Sequence, residues 1–274
     1  MRSLIFLTIL GTSAIAFADP VVTTSPTTVH PGDAVLVTVV GATELPHGKA
    51  GGRPLEFFPA QRGYQAVFAT PLSIDEDHVL VEVNDGAKPV SVAVVAKTFP
   101  ETKVIVEEEL ANPGKEDGQK IDADNRAVEK SYAQAAGAPQ FTRPFRRPPG
   151  AVTSTFGEWR TFNDGHRSQH LGLDVAAREG ARVDAVDAGT VALVRETFLM
   201  GNIVVIAHGA GISSLYFHLS KVTVAEGDVV KQGERIGLAG HTGRTTGPHL
   251  HLSIHVSGGM VDPLSYLKLA LAAK

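Results

Sequence analysis

Residues 245–255, "TTGPHLHLSIH", place His249, His251 and His255 at alternate positions behind a Gly-Pro corner. Alternate residues of a strand share a face, and at about 3.3 Å per residue His249 and His251 stand about 7 Å apart. Such a pair suits zinc, which accepts imidazole nitrogen and carboxylate oxygen. A catalytic zinc site uses three protein ligands and leaves one position open for water. Two polar residues on the exposed face of a half-buried strand give the same pattern. A second segment, "HLGLD", sets His170 and Asp174 four residues apart. A fully extended strand would separate them by about 13 Å, so one metal can take both only if the chain bends, which Gly172 permits. A third, "SLYFHLS", carries His218 in an apolar strand beside Tyr216. A lone histidine in such a strand is ordinarily a structural residue. The helical zinc signature His-Glu-x-x-His is absent, so any metal site must be carried on strands and loops.

The elements around these segments read as β-structure. From Ala151 onward, runs such as "VDAVDAGTVALVRE", "NIVVIAHG" and "GISSLYFHLS" are separated by glycines. An amphipathic helical pattern appears only in the short tail "PLSYLKLALAA". Residues 21–108 hold about seven short apolar or alternating runs, from "VVTTS" and "AVLVTVV" to "VSVAVVA" and "KVIVEE". Turn signals such as Pro31-Gly32-Asp33, Gly51-Gly52 and Asn84-Asp85-Gly86 divide them, as in an immunoglobulin-like β-sandwich. His30, His47 and His78 are isolated there, with no catalytic cluster. Residues 113–137 turn polar and favour helix from about Gln119 to Ala136, and "PFRRPPG" at 144–150 is an extended lead-in. The expected organisation is mainly β: a signal peptide at 1–18, a sandwich at 19–110, a helical linker at 111–140 and an all-β unit at 141–274. Because that last unit holds every candidate ligand and a full set of strand signals, it is expected to fold by itself.

Taken together in their order and spacing, "HLGLD", "YFHLS" and "GHTGRTTGPHLH" resemble the lysostaphin/LytM-type zinc metallopeptidases that cleave peptidoglycan cross-bridges. The stretches "VVIAHGAGISSLY", "VAEGDVVKQGERIG" and "VDPLSYL" extend the resemblance over about Phe141 to Leu267. It implies a C-terminal LytM-type domain holding one zinc on His170, Asp174 and His251, with His218 and His249 as catalytic histidines. Peptidoglycan stem peptides or cross-links are the implied substrate, and the first domain is like the accessory domains of such enzymes only in general terms. The sequence departs from the family pattern at His241, where a small polar residue is usual, and at Ser253, where an acidic one is common. His255 has no implied role.

The start of the chain carries Arg2, an apolar run from Leu4 to Leu10, and Ala16-Phe17-Ala18 before Asp19, the order of a cleaved secretory signal. The expected protein is exported, periplasmic or secreted, and has no stable membrane anchor. The absence of cysteine excludes disulfides, thiol nucleophiles and thiolate zinc sites. Residues 1–140 carry a net charge of −7 and residues 141–274 one of +3, a faint sign that the second half meets an anionic polymer. No dense basic stretch suggests a nucleic-acid partner. Two other function classes fit the sequence less well. An inactive relative acting as regulator or scaffold of other wall hydrolases would ordinarily have lost ligands, and none is lost. A lipoyl- or biotinyl-type carrier, suggested by "EGDVVKQGERIG", needs a modified lysine at a tight turn, which Lys231 does not provide.

Overall fold

Alternation along the strand Ala34–Val40 explains how the two halves of the chain meet. Val35, Val37 and Val39 point one way, into a core shared with Ala66, Phe68, Val79, Val81 and Val92. Ala34 and Leu36 point the other way, into a core shared with Val256, Val261, Tyr266 and Leu269. A strand buried on both faces must be apolar nearly throughout, which is why "AVLVTVV" shows no polar face. The computed structural model describes residues 19–83, 87–141, 144–163 and 165–273. The expected signal peptide, Met1–Ala18, and the Asn84-Asp85-Gly86 turn lie outside them.

The N-terminal part is built of two sheets. One orders the strands Val21–Ser25, Ala34–Val40, Tyr64–Ala69 and Phe58–Pro59, all antiparallel. The other orders Thr28–Val29, Val90–Val94, His78–Val83, Gly48–Ala50 and Arg53–Pro54. The valine-rich core fills the space between them. The run "KVIVEE" departs from the sequence expectation of a further sandwich strand. Only its first two residues are in a strand, Glu101–Val104, which pairs in parallel with Trp159–Phe162, itself paired with Arg167–Gln169. It therefore belongs to a small sheet beside the C-terminal half.

The polar segment forms the helix Lys115–Ser131 and a 3-10 turn, Tyr132–Ala135. Glu116 and Asp117 in its first turn and Lys130 in its last complement the helix dipole. The helix is not a free spacer. Its buried Asp124 accepts hydrogen bonds from Arg195 Nε at 2.8 Å and from the Phe198 backbone N–H at 2.9 Å. Val128 and Ala135 pack on Ile203, Val205 and Leu215.

The main sheet of the C-terminal half runs Val152–Ser154, Leu173–Ala176, His249–Val256, Ile212–Val222, Gly201–Gly209, Gly189–Thr197 and Val229–Val230. Its central strands are buried on both faces, by the helix on one side and by the larger core on the other. The tail "PLSYLKLALAA" is helical only over Pro263–Tyr266, capped by Asp262. Beyond that it lies along the sandwich. Ala272 accepts from the Gln61 N–H at 3.0 Å and donates to Gln65 Oε1 at 3.0 Å, and Ala273 bridges Ala60. Ala34 N–H donates to Ser265 Oγ at 2.8 Å. The tail thus ties the two halves of the chain together through apolar packing and hydrogen bonds.

Candidate metal centre

All five histidine and aspartate positions singled out in the sequence come together, each through a different local device. Asp174 and His251 face each other across the antiparallel pair Leu173–Ala176 and His249–Val256, and Ala176 faces His249. His170 reaches the same point from the end of the strand Arg167–Gln169, because the chain bends at Leu171-Gly172. Gly172 is required by space, since a Cβ there would stand 2.4 Å from His251 Nε2. His218 arrives through a β-bulge. Tyr216 and Leu219, three apart, both face the core, so the extra residue turns consecutive Phe217 and His218 toward the site. The His218 backbone sits at φ 62°, a left-handed conformation costly for a non-glycine residue, of the kind found at functional sites. Phe217 lies flat on the His251 ring, with centroids 4.7 Å apart and planes within 2°.

Three donor atoms converge. His170 Nε2 is 3.1 Å from Asp174 Oδ1 and 2.9 Å from His251 Nδ1, and His251 Nδ1 is 2.9 Å from Asp174 Oδ1. All three residues are buried. The opposite ring nitrogens are pinned. His170 Nδ1 lies 2.9 Å from the Thr155 carbonyl, which can only accept, so that nitrogen carries the hydrogen. His251 Nε2 donates to Ser253 Oγ at 2.9 Å, and Ser253 donates to the Leu171 carbonyl at 2.7 Å. Both converging nitrogens are then bare lone pairs facing a carboxylate oxygen. Three acceptors about 3 Å apart repel one another unless a cation lies between them. Tetrahedral zinc ligands about 2.1 Å from the metal stand about 3.4 Å apart, so the donor set fits zinc in number, type and approximate spacing.

Two further groups flank the triangle. His249 Nε2 lies 3.5 Å from Asp174 Oδ1, while its Nδ1 donates to the Gly247 carbonyl at 2.8 Å. His218 donates from Nδ1 to the Thr242 carbonyl at 2.8 Å, and its ring lies 4.9 Å from that of His249. Arg160, which sequence reasoning missed, holds the outer carboxylate oxygen, Asp174 Oδ2, at 2.5 Å and Ser154 Oγ at 2.9 Å. The role of Ser253 was also missed, since it was read only as a departure from an acidic residue. Nothing local in "FGEWR" or "HLHLS" marks either residue, because both act through partners brought close by strand pairing. Glu158 bonds the Ser154 hydroxyl on the same side. Of the histidines without an assigned role, His241 is exposed and pairs with Glu179 at 3.3 Å. His255 is stacked under Tyr132 at 3.8 Å.

Electrostatics divide these groups. Burial alone would raise the Asp174 pKa, but the imidazoles of His170, His249 and His251 around its oxygens outweigh it and hold the carboxyl well below its usual range. Burial, aided by the neighbouring His251 and His249, pushes His218 down to about 3, so its imidazole is neutral. For His249, burial opposes protonation, but the hydrogen bond and charge of Asp174 prevail and raise its pKa. The cluster opens into a groove of about 890 Å³. Thr245–His249, Val104 and Ile105 line it. The docked helix contributes Asn125, Glu129 and Tyr132.

This architecture and donor set define a metallopeptidase-like β fold, and the comparisons specify it. Residues 168–263 match the model of peptidase family M23. The chain is 35% identical over 150 residues to the peptidoglycan DD-endopeptidase ShyB of Vibrio cholerae, which covers 54% of this chain and 33% of that protein. It is 44% identical over 96 residues to the DD-carboxypeptidase/endopeptidase Mpg of Neisseria meningitidis serogroup B, covering 35% of this chain and 22% of the other. The chain thus spans a third or less of these curated relatives. A crystal structure of a Pseudomonas aeruginosa protein assigned to peptidase M23 aligns with a TM-score of 0.63 at 27% identity. That alignment covers 86% of this chain and 94% of the other, so the likeness reaches into the N-terminal half.

Proposed function

We propose that this protein is an exported zinc metallo-endopeptidase that hydrolyses stem peptides or peptide cross-links of bacterial peptidoglycan. The observation that carries the reading is the meeting of three acceptor atoms, from His170, Asp174 and His251, whose other partners leave their lone pairs facing one point. Zinc held there would supply a bound water of pKa near about 7 and a Lewis acid for the scissile carbonyl. The chain's own groups do the rest. His218, anchored through Nδ1, offers Nε2 as an acceptor for a proton of the attacking water. His249, whose protonated form is favoured, presents Nε2–H to the oxygen on which negative charge develops. Arg160 fixes Asp174 through Oδ2 and leaves Oδ1 for the metal. The groove lined by Thr245–His249 and the docked helix gives room for an extended peptide.

The wall-peptide substrate is supported by relatives named as peptidoglycan DD-endopeptidases. Export is supported by the Arg2, apolar and Ala-x-Ala order at the start of the sequence. Among the described residues, no helix is long and apolar enough to cross a membrane. The presence of all three ligands favours an enzyme over an inactive regulator. Digestion of defined muropeptides by the purified protein, with products read by mass spectrometry, tests this. Cleavage abolished by a chelator and restored by zinc is expected. Intact substrate with zinc-loaded, folded protein would refute the reading.

A further inference from the structure

The arginine pair of "PFRRPPG" takes no part in the metal centre. It borders a separate cavity of about 350 Å³, lined also by Arg178 and Arg182. We propose that this cavity binds free carboxylates of the peptidoglycan stem peptide while the peptide lies in the groove, an inference that rests on the substrate reading above.

The cavity is built rather than incidental. Buried Pro148 and adjacent Pro149 stiffen the segment carrying Arg146 and Arg147, and the Arg146 N–H donates to the Val186 carbonyl at 2.8 Å. Arg147 Nη2 donates to the Gly150 carbonyl at 2.9 Å. Arg182 is held by the Gly233 carbonyl at 2.8 Å and by Asp184. The nearby acids are already engaged, Asp184 with Arg182 and Glu179 with His241. No ion pair joins Arg146, Arg147 or Arg178 among the described residues. Three of the four arginines that line the cavity therefore have no ion-pair partner among the described residues, and the acid that lines it, Asp184, is held by Arg182. Their planar forks suit carboxylates, which they bind in pairs of hydrogen bonds. This is where the positive balance of residues 141–274 is concentrated next to a site.

Continuity selects the occupant. Ala176 lines both the groove and the basic cavity. It lies two residues beyond Asp174 on one strand, about 7 Å away, with Arg178 two residues further. An extended peptide advances about 3.3 Å per residue, so a chain with its scissile bond at Asp174 reaches the arginines within about four residues. Free carboxylates of the same peptide are then the anions delivered to them.

Calorimetric titration of the full chain tests this with three probes: an uncross-linked stem peptide, the same peptide with its carboxylates amidated, and inorganic phosphate. Wild type should bind the free acid about tenfold more tightly than the amide, as expected of a few exposed charge pairs. Arg147→Glu/Arg178→Glu should abolish that preference, with zinc content and affinity for the amide unchanged. Equal binding of acid and amide by wild type, or a preference that survives in the variant, would overturn the proposal. So would phosphate binding more tightly than the peptide. A preference for the acid without cleavage of any cross-linked muropeptide would sink the hydrolase reading and leave this site standing.

Discussion

His208 and His251 are both buried imidazoles on central strands of one sheet, and burial pushes both down to about 4. Only one stands in a cluster of converging acceptor atoms. His208 is saturated, with Nδ1 2.7 Å from the Ala188 carbonyl and Nε2 2.7 Å from Ser214 Oγ. Ser214 in turn lies 2.9 Å from the Tyr216 hydroxyl, which accepts the Val186 N–H at 2.8 Å. Every polar atom in that chain has a partner within the protein. His251 is saturated on one side only, and its free nitrogen meets two other acceptors. A perturbed pKa does not separate the two, but the direction of the unshared lone pairs does. The His208 network joins adjoining strands, whereas the His251 cluster has geometry that only a cation completes.

The comparison is broken most severely by removing a converging ligand. Asp174→Ala should take cleavage below detection in the muropeptide assay, because it removes both a ligand and the partner of Arg160. Substitution at the flanking histidine should be milder. His218→Ala should lose about 10² to 10⁴ in kcat with zinc retained, the ordinary cost of a missing base. A zinc content that fell with it would move His218 into the coordination set. Loss of an outer partner should be milder again. Ser253→Ala should weaken zinc affinity about 10- to 100-fold in competition with a chelator, because it frees the ring nitrogen that fixes His251.

His208 supplies the smallest effect on catalysis and a pH signature. An unfolded histidine takes its proton near 6.5 and folded His208 only near 4. Its contribution is therefore complete above pH 6.5 and is lost as pH falls toward 4, by at most about 3 kcal/mol. His208→Gln should flatten the acid limb of the stability curve measured by denaturant unfolding between pH 7 and 4, while leaving kcat at neutral pH nearly unchanged. An acid limb identical to wild type would assign the sensitivity to another group.

The convergence of the cluster was legible in the sequence because its members lie in three short segments whose spacing encodes their direction. Alternation placed His249 and His251 on one side of a strand, and Gly172 announced the bend that joins His170 to Asp174. The supports were not legible. Thr155, Thr242 and Leu171 act through backbone carbonyls, which any residue type supplies, and Arg160 and Ser253 meet the site only after strands distant in sequence pair. The same limit applies to the fold. "VVTTS", "HVLVEV" and "VSVAVVA" announced strands through local alternation. The partner of Glu101–Val104 and the covering of Ala34 and Leu36 by the tail depend on the path of the chain. In the tail, apolar residues beyond Tyr266 serve a junction rather than a helical stripe, so helix formation stops after one turn.

The central claim concerns which atoms take the metal, and metal analysis of two single variants of "HLH" tests it most directly. Zinc per chain should be measured in folded wild type, His249→Ala and His251→Ala after exhaustive dialysis against zinc-free buffer. The account predicts one zinc in wild type and in His249→Ala, and essentially none in His251→Ala. Zinc kept by His251→Ala and lost by His249→Ala would contradict it, because the converging lone pairs of His170, Asp174 and His251 would then not be the metal site.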